Sequence, residues 1–203
     1  INEKKLKEIG QGKVLAMICD STNIFYPGRA GSEQDVRESL LKIMSLKSKK
    51  IVITSFASNV ARMESVFYCA EKINRNVSLV GRSMNRIFKA ARQCGYLQNI
   101  KDPIDPRDAK KYPREKIIYL CTGSQGEPMG AMKRIIKDIH PDVFIEKGDT
   151  VIFSSKIIPG NEKKLYSLHN DIVKKEVELI TEETDFVHVS GHPNREDLKD
   201  MYK

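Results

Sequence analysis

Short apolar runs alternate with amphipathic stretches along almost the whole chain. The runs Val14–Cys19, Lys50–Thr54, Val77–Val80, Lys116–Cys121, Thr150–Ser154, Val177–Ile180 and Phe186–Val189 have the length and composition of buried strands. Between them, Val36, Leu40, Leu41 and Met44 keep the spacing of one helical face. The same period recurs in Val60, Met63, Phe67 and Ala70, and in Met84, Ile87, Phe88 and Ala91. Ala131, Ile135 and Ile139 form another face, and Leu165, Leu168 and Ile172 a further one. Strands that alternate with helices of this length predict an α/β fold. It is a doubly wound, mostly parallel sheet flanked by helices. The pattern breaks only at residues 98–114, where Pro103, Pro106 and Pro113 leave room for one short helix near Asp105–Lys111.

In such a sheet, ligands bind beyond the carboxyl ends of the strands, so the residues after each run are expected to converge. These are Asp20-Ser21-Thr22-Asn23, Ser55-Phe56-Ala57-Ser58-Asn59, Gly81-Arg82-Ser83-Met84, Thr122-Gly123-Ser124-Gln125-Gly126-Glu127-Pro128, Ser154 to Glu162, and Ser190-Gly191-His192-Pro193-Asn194. The fourth of these predicts a strand, a Gly/Ser/Gln loop and a helix starting near Pro128. Unpaired N–H groups at such a helix start suit phosphate. A rim rich in Ser, Gly and Asn beside a few ionisable groups suits an oxyanion.

Composition narrows the class. The chain has 203 residues and a formal charge of +8. A basic balance is compatible with polyanionic partners, although clusters such as Lys47-Ser48-Lys49-Lys50 also read as solvated faces. No apolar run approaches a membrane span, so no membrane association is expected. Cys19, Cys69, Cys94 and Cys121 form no CxxC pair, and buried reduced thiols are expected.

Each motif has a bland reading too. Ser58, Ser83 and Asn161 fit as helix N-caps, and Gly81, Gly160 and Gly191 as tight-turn residues. No Walker loop, GxGxxG fingerprint or GxSxG elbow is present. Of the four histidines, His140 reads as a helix end and His169 as a polar helical position. His188 and His192 do not share a helical face. His192 follows Ser-Gly at a strand end and is the functional candidate. Asp20, Glu33 and Glu127 are the acidic candidates. Asp20 also fits as an acceptor for its own turn, and Glu33 as a first-turn helix acid.

The six loop motifs, in this order, resemble RNase J, a metallo-β-lactamase-type ribonuclease family of the β-CASP group. The resemblance covers residue 3 to the end of the chain. It implies a Rossmann-like β-CASP domain over residues 13–203. Residues 1–12 would be a lead-in helix belonging to an adjoining metallo-β-lactamase domain that is absent here. The implied activity is hydrolysis of RNA phosphodiesters, as a 5′→3′ exonuclease and endonuclease in cytoplasmic RNA processing and decay. Two zinc ions would be bound in the family's HxHxDH-bearing domain, so no metal ligand is expected in this chain and the segment alone would be inactive. By correspondence of motifs, His192 and Glu33 are the implied catalytic residues, at the family's motif B and motif A positions. Ser58, Asn59, Ser124, Ser155, Ser190 and Gly191 are the implied contacts to the RNA 5′-phosphate. Family members often carry a serine after the Ser-Gly-His turn, where this chain has Pro193, Asn194 and Arg195, and Arg195 is a charged candidate for its role. Implied partners are RNA and the metallo-β-lactamase domain of the same polypeptide. A homo-oligomeric parent is implied, and a monomer for the segment alone. Two rival readings stand beside this one. One is a non-catalytic Rossmann-like nucleotide- or partner-binding module. The other is the β-CASP domain of a DNA- or 3′-end-processing nuclease.

Overall fold

A computed structural model describes residues 2–12 and 14–202. In chain order its elements are α1 (Glu3–Gly10), α2 (Glu33–Ser45), β1 (Ile51–Thr54), α3 (Val60–Lys72), β2 (Asn76–Val80), α4 (Arg82–Gln93), α5 (Pro106–Ala109), β3 (Ile117–Cys121), α6 (Ala131–Ile136), β4 (Thr150–Phe153), α7 (Glu162–Lys174), β5 (Glu178–Ile180) and α8 (Arg195–Tyr202). They fall into two compact units. One is Gly31–Val189; the other joins the residues up to Ala30 with those from Ser190 onward.

The Gly31–Val189 unit is built on five parallel strands in the order β2-β3-β1-β4-β5. Strand periodicity divides its apolar residues between two faces. Ile51, Ile53, Leu79, Ile118, Leu120 and Ile152 pack with the buried sides of α2, α3 and α4. Val52, Val80, Tyr119, Cys121, Val151 and Phe153 pack with residues of α5, α6 and α7. Helices on both faces make the sheet doubly wound, as the alternation of runs predicts. β1, β3 and β4 are buried along their whole length on both sides, which explains why their runs read as apolar rather than alternating.

Two of the seven expected strands are absent from the sheet. Phe186–Val189 is irregular: Val187 is buried, but its carbonyl accepts from the Arg62 guanidinium and the Ser154 hydroxyl instead of a ladder N–H. Val14–Cys19, in the other unit, pairs with no strand among the described residues, and Leu15 and Ile18 stand 100% and 99% exposed. An apolar run becomes a strand only where a neighbour completes its hydrogen bonds. The short helix expected near Asp105–Lys111 is the single turn α5, capped by Asp105 with Pro106 in its first turn.

In the smaller unit, α1 starts on the Asn2 side chain and buries none of its residues. Ile1 lies outside the described residues. Helix α8 is tied to the 23–30 segment by Arg195 N–H to Tyr26 O and Glu196 N–H to Gly28 O. An ion pair of Arg29 with Asp200 adds to this, and the Asp197 carboxylate accepts from Ala30 N–H at 2.8 Å. The thiols divide: Cys69 and Cys121 are buried, whereas Cys19 and Cys94 are exposed. Cys19 is exposed because its run finds no sheet to enter.

Candidate functional site

In the smaller unit, the Ser190-Gly191-His192 turn is braced by its own neighbours. The Ser190 hydroxyl oxygen accepts from His192 N–H and from the Asn23 side-chain amide, both at 3.2 Å. The same amide also reaches His192 O at 3.3 Å, and Asn23 and Asn194 form a parallel bridge. Ser190 thus uses its lone pairs on the turn and keeps its O–H proton to donate. Gly191 is exposed.

This turn presents the His192 ring to Asp20, with Nδ1 at 2.5 Å from Oδ2. The other Asp20 oxygen accepts from Thr22 N–H at 2.9 Å. That backbone bond, then the His192 contact, hold the Asp20 carboxyl down at about 2. An ionised carboxylate can only accept, so Nδ1 of His192 carries the hydrogen and Nε2 is left as the working nitrogen. Both side chains are about half exposed. Asp20 therefore bonds its own turn, as its sequence context allowed, and also holds the His192 ring, which the sequence did not indicate. Arg195 stays beside this segment, donating to Ile24 O and Phe25 O.

In the sheet unit, the loops after the strands are closely packed. Gly81 and Gly123 have φ of 113° and 110°, and a Cβ on either would meet Thr122 Oγ1 at 2.5 Å or Met132 Cβ at 2.9 Å. Only glycine fits both the backbone and the space. Gln125 ties two loops together: its amide donates to Lys156 O, and its Oε1 accepts from Ile158 N–H and the Asn161 amide.

Several N–H groups of the 123–130 loop and of the helix start behind it are taken up inside the protein. Met132 N–H donates to Thr122 O, Ala131 N–H to Thr122 Oγ1, and Gln125 N–H to the Glu127 carboxylate. Helix α6 begins at Ala131, not at Pro128, and has six residues. Ser124 and Ser155 are only 2% and 4% exposed. They line one narrow concavity with Phe153, Leu165 and His169, and Glu182 and Glu183 form part of its wall.

The remaining candidates cluster at the start of α3. Asn59, not Ser58, caps the helix: its Oδ1 accepts from Arg62 N–H, and its amide donates to Glu33 Oε1. Ser58 is exposed. Glu33 does begin α2 behind the Ser32 cap, where Asp35 completes a capping box. Its carboxylate takes a fork of two bonds, 3.0 Å each, from Nε and Nη2 of Arg62. Arg62 is fully buried, and its Nη1 donates to Ser154 O, Ser154 Oγ and Val187 O. Glu33 is therefore the counterion of a buried guanidinium, while the carboxylate on His192 is that of Asp20. Nothing in the residue pattern singled out Arg62, which sits one position from the apolar face of α3.

His188 lies near this network. Burial, with the Arg62 charge next, pushes it down to about 4, and its Nδ1 is buried without a partner. His140 closes a turn, its Nδ1 accepting from Asp142 and Val143 N–H. Burial also lowers His169, which packs edge-on to Phe153. Among the described residues, no three His, Cys, Asp or Glu side chains come together to hold a metal ion. The two zinc ions implied by the resemblance find no donor set in them. Likewise no helix among them is long and apolar enough to cross a membrane.

A doubly wound parallel sheet whose carboxyl edge carries Ser/Gly/Asn loops defines a Rossmann-like α/β domain. The match is more specific than that. The model of the Ribonuclease J β-CASP domain matches residues 48–172. The chain is 41% identical over 202 residues to Ribonuclease J of Sinorhizobium meliloti, covering 100% of this chain and 36% of that protein. It is 35% identical to Ribonuclease J of Mycolicibacterium smegmatis, covering 97% of this chain and 36% of that protein. With Ribonuclease J 1 of Streptococcus pyogenes the identity is 36%, covering 98% and 36%. This chain belongs to the Ribonuclease J β-CASP family. It spans about a third of the length of these relatives.

Proposed function

We propose that this chain is the β-CASP part of a ribonuclease that hydrolyses RNA phosphodiesters by 5′→3′ exonucleolytic and endonucleolytic cleavage. The observation that carries this reading is the Asp20–His192 pair. Asp20, ionised down to about pH 2, engages Nδ1 and so leaves the chemistry of the imidazole to Nε2. A protonated Nε2 can donate to the leaving 3′-oxygen as the phosphodiester breaks, and the imidazolium also offsets the charge gathering on the phosphate. The relation of Asp20 to His192 is that of an orienting carboxylate to a catalytic imidazole: it sets the tautomer.

Contacts to the RNA 5′-phosphate are assigned to the Ser190 O–H, the Gly191 backbone and the exposed Ser58. Asn59, Ser124 and Ser155 are assigned a supporting role within the sheet unit, since the Asn59 amide is engaged and the two serines are buried. Glu33 acts through Arg62, holding the β4 end and the segment before the Ser-Gly-His turn. Zinc ions, which supply a metal-activated nucleophile in hydrolysis, would be held by the metallo-β-lactamase portion of the parent. By itself this chain would leave RNA intact. Its setting is taken to be the cytoplasm.

The test uses the full-length protein and a 5′-monophosphorylated RNA. His192→Ala is expected to lower kcat by about 10²- to 10⁴-fold with unchanged thermal unfolding. Wild-type turnover in that variant would overturn the assignment.

A further inference from the structure

We propose that the solvent face of α4 is a docking track for the sugar–phosphate backbone of single-stranded RNA, carried by Arg82, Arg86 and Lys89. The proposal rests on the reading that the parent acts on RNA, and adds a surface to which no role has been given above.

Three observations support it. The first is placement on the helix. At about 100° per residue, Arg82, Arg86 and Lys89 lie within an arc of roughly 60°, opposite the buried Met84, Phe88 and Ala91. They span about 10 Å of helix, roughly three nucleotides at ~3.4 Å each. The second is the absence of any neutralising partner. Helix α4 contains no Asp or Glu. Among the described residues, eight of the eleven arginines donate to a carboxylate, a hydroxyl or a carbonyl, or pair with an acid. Arg82 and Arg86 are two of the three that do not, Arg134 being the other. Lys89 is also outside every ion pair. In a chain that otherwise pairs its guanidinium groups, two exposed unpaired ones with a lysine on one stripe are free to release counterions to a polyanion. The third is continuity with the loop rim. Gly81, immediately before Arg82, packs against Thr122, the residue that opens the Gly123-Ser124-Gln125-Gly126 loop. The stripe therefore begins at the carboxyl edge of the sheet and leads away from it.

Unpaired side-chain charges without base-reading groups bind backbone, so the track is sequence-independent. It holds the body of the strand and takes no part in discriminating the 5′-end.

The experiment compares full-length wild-type protein with R82Q/R86Q/K89Q. Affinity is measured for a short single-stranded RNA, with 5′-phosphate or 5′-hydroxyl, between roughly 50 and 200 mM salt. Each lost phosphate contact flattens the slope of log affinity against log salt by about 0.7, so the variant is expected to lose about 2 in slope. Its binding should weaken about tenfold or more, equally for different sequences. The preference for a 5′-phosphate over a 5′-hydroxyl should stay as in wild type. An unchanged slope in the variant overturns the track while leaving the proposed function intact. A wild-type protein that binds neither RNA overturns both. Poly-glutamate binding is measured in parallel; a loss confined to poly-glutamate assigns the face to an acidic protein and overturns the proposal.

Discussion

Replacing Glu33 by Ala leaves the Arg62 guanidinium buried without its counterion. Arg62 has no exposed surface, and Glu33 supplies both of its carboxylate bonds, each 3.0 Å long. Removing one partner of a buried pair costs about 3–5 kcal/mol, because the remaining charge stays desolvated. Glu33 is itself 31% exposed, so water can enter at its position and the lower end, about 3 kcal/mol, applies. For a chain of this size each kcal/mol moves the melting temperature by roughly 2–4 °C, giving a drop of about 6–12 °C. Thermal unfolding of this chain followed by circular dichroism is the assay. Glu33→Gln keeps an acceptor but loses the charge, and is expected to fall between wild type and Glu33→Ala. A second arm replaces both partners, Glu33→Leu with Arg62→Met, which should recover part of the loss because no buried charge remains. A shift below about 2 °C in Glu33→Ala, the range of ordinary surface substitutions, would refute the reasoning and free Glu33 for a purely catalytic role.

Other outcomes follow from the same structure. With the folded Asp20 carboxyl at about 2, below its unfolded value near 3.9, its stabilising contribution is full above that unfolded value and is lost as pH falls toward 2; carbon-detected NMR titration of Asp20 should give a midpoint near 2, and an ordinary midpoint would break the tautomer argument for His192. His188, depressed to about 4, stays neutral at pH 7, and its contribution to stability declines as pH drops from about 6.5 toward 4; a proton NMR midpoint near 6.5 would contradict its burial beside Arg62. Alkylation under native conditions should label Cys19 and Cys94 while sparing Cys69 and Cys121, whose thiols burial pushes up to about 11 and 12; rapid labelling of Cys121 would refute the packing of β3. Gln125→Ala removes the amide that joins the 123–130 and 156–161 loops and should cost about 1–3 kcal/mol by denaturant unfolding, with a neutral result contradicting the clamp.

The sheet was readable because burial on both faces turns a strand into a plain apolar run, as in β1, β3 and β4; β2 starts one residue ahead of its run, at Asn76, and β5 keeps an exposed Glu178. Val14–Cys19 carries the same signal without becoming a strand, since periodicity reports burial preference and not whether a pairing edge is at hand. Phe186–Val189 fails for another reason: Arg62 and Ser154, distant in sequence, take the Val187 carbonyl. His192 and Asp20 were both visible as polar residues after apolar runs, but their contact joins residues 172 positions apart. Glu33 was correctly placed in the first turn of a helix, yet its partner was hidden, because an arginine inside an amphipathic helix ordinarily points to water. The Gly123–Gly130 loop looked like an anion cradle from composition. Glu127 takes the Gln125 and Gly130 N–H groups, and Thr122 takes those of Ala131 and Met132 at the helix start, which local sequence does not reveal.

The central claim is that His192, oriented by Asp20, serves the cleavage of RNA. The most direct measurement is single-turnover cleavage of a 5′-monophosphorylated RNA by the full-length protein, wild type against His192→Ala, with folding checked by thermal unfolding. The account predicts a loss of about 10²- to 10⁴-fold in the cleavage step, with RNA affinity and melting temperature retained. Cleavage at the wild-type rate by a folded His192→Ala protein would contradict it.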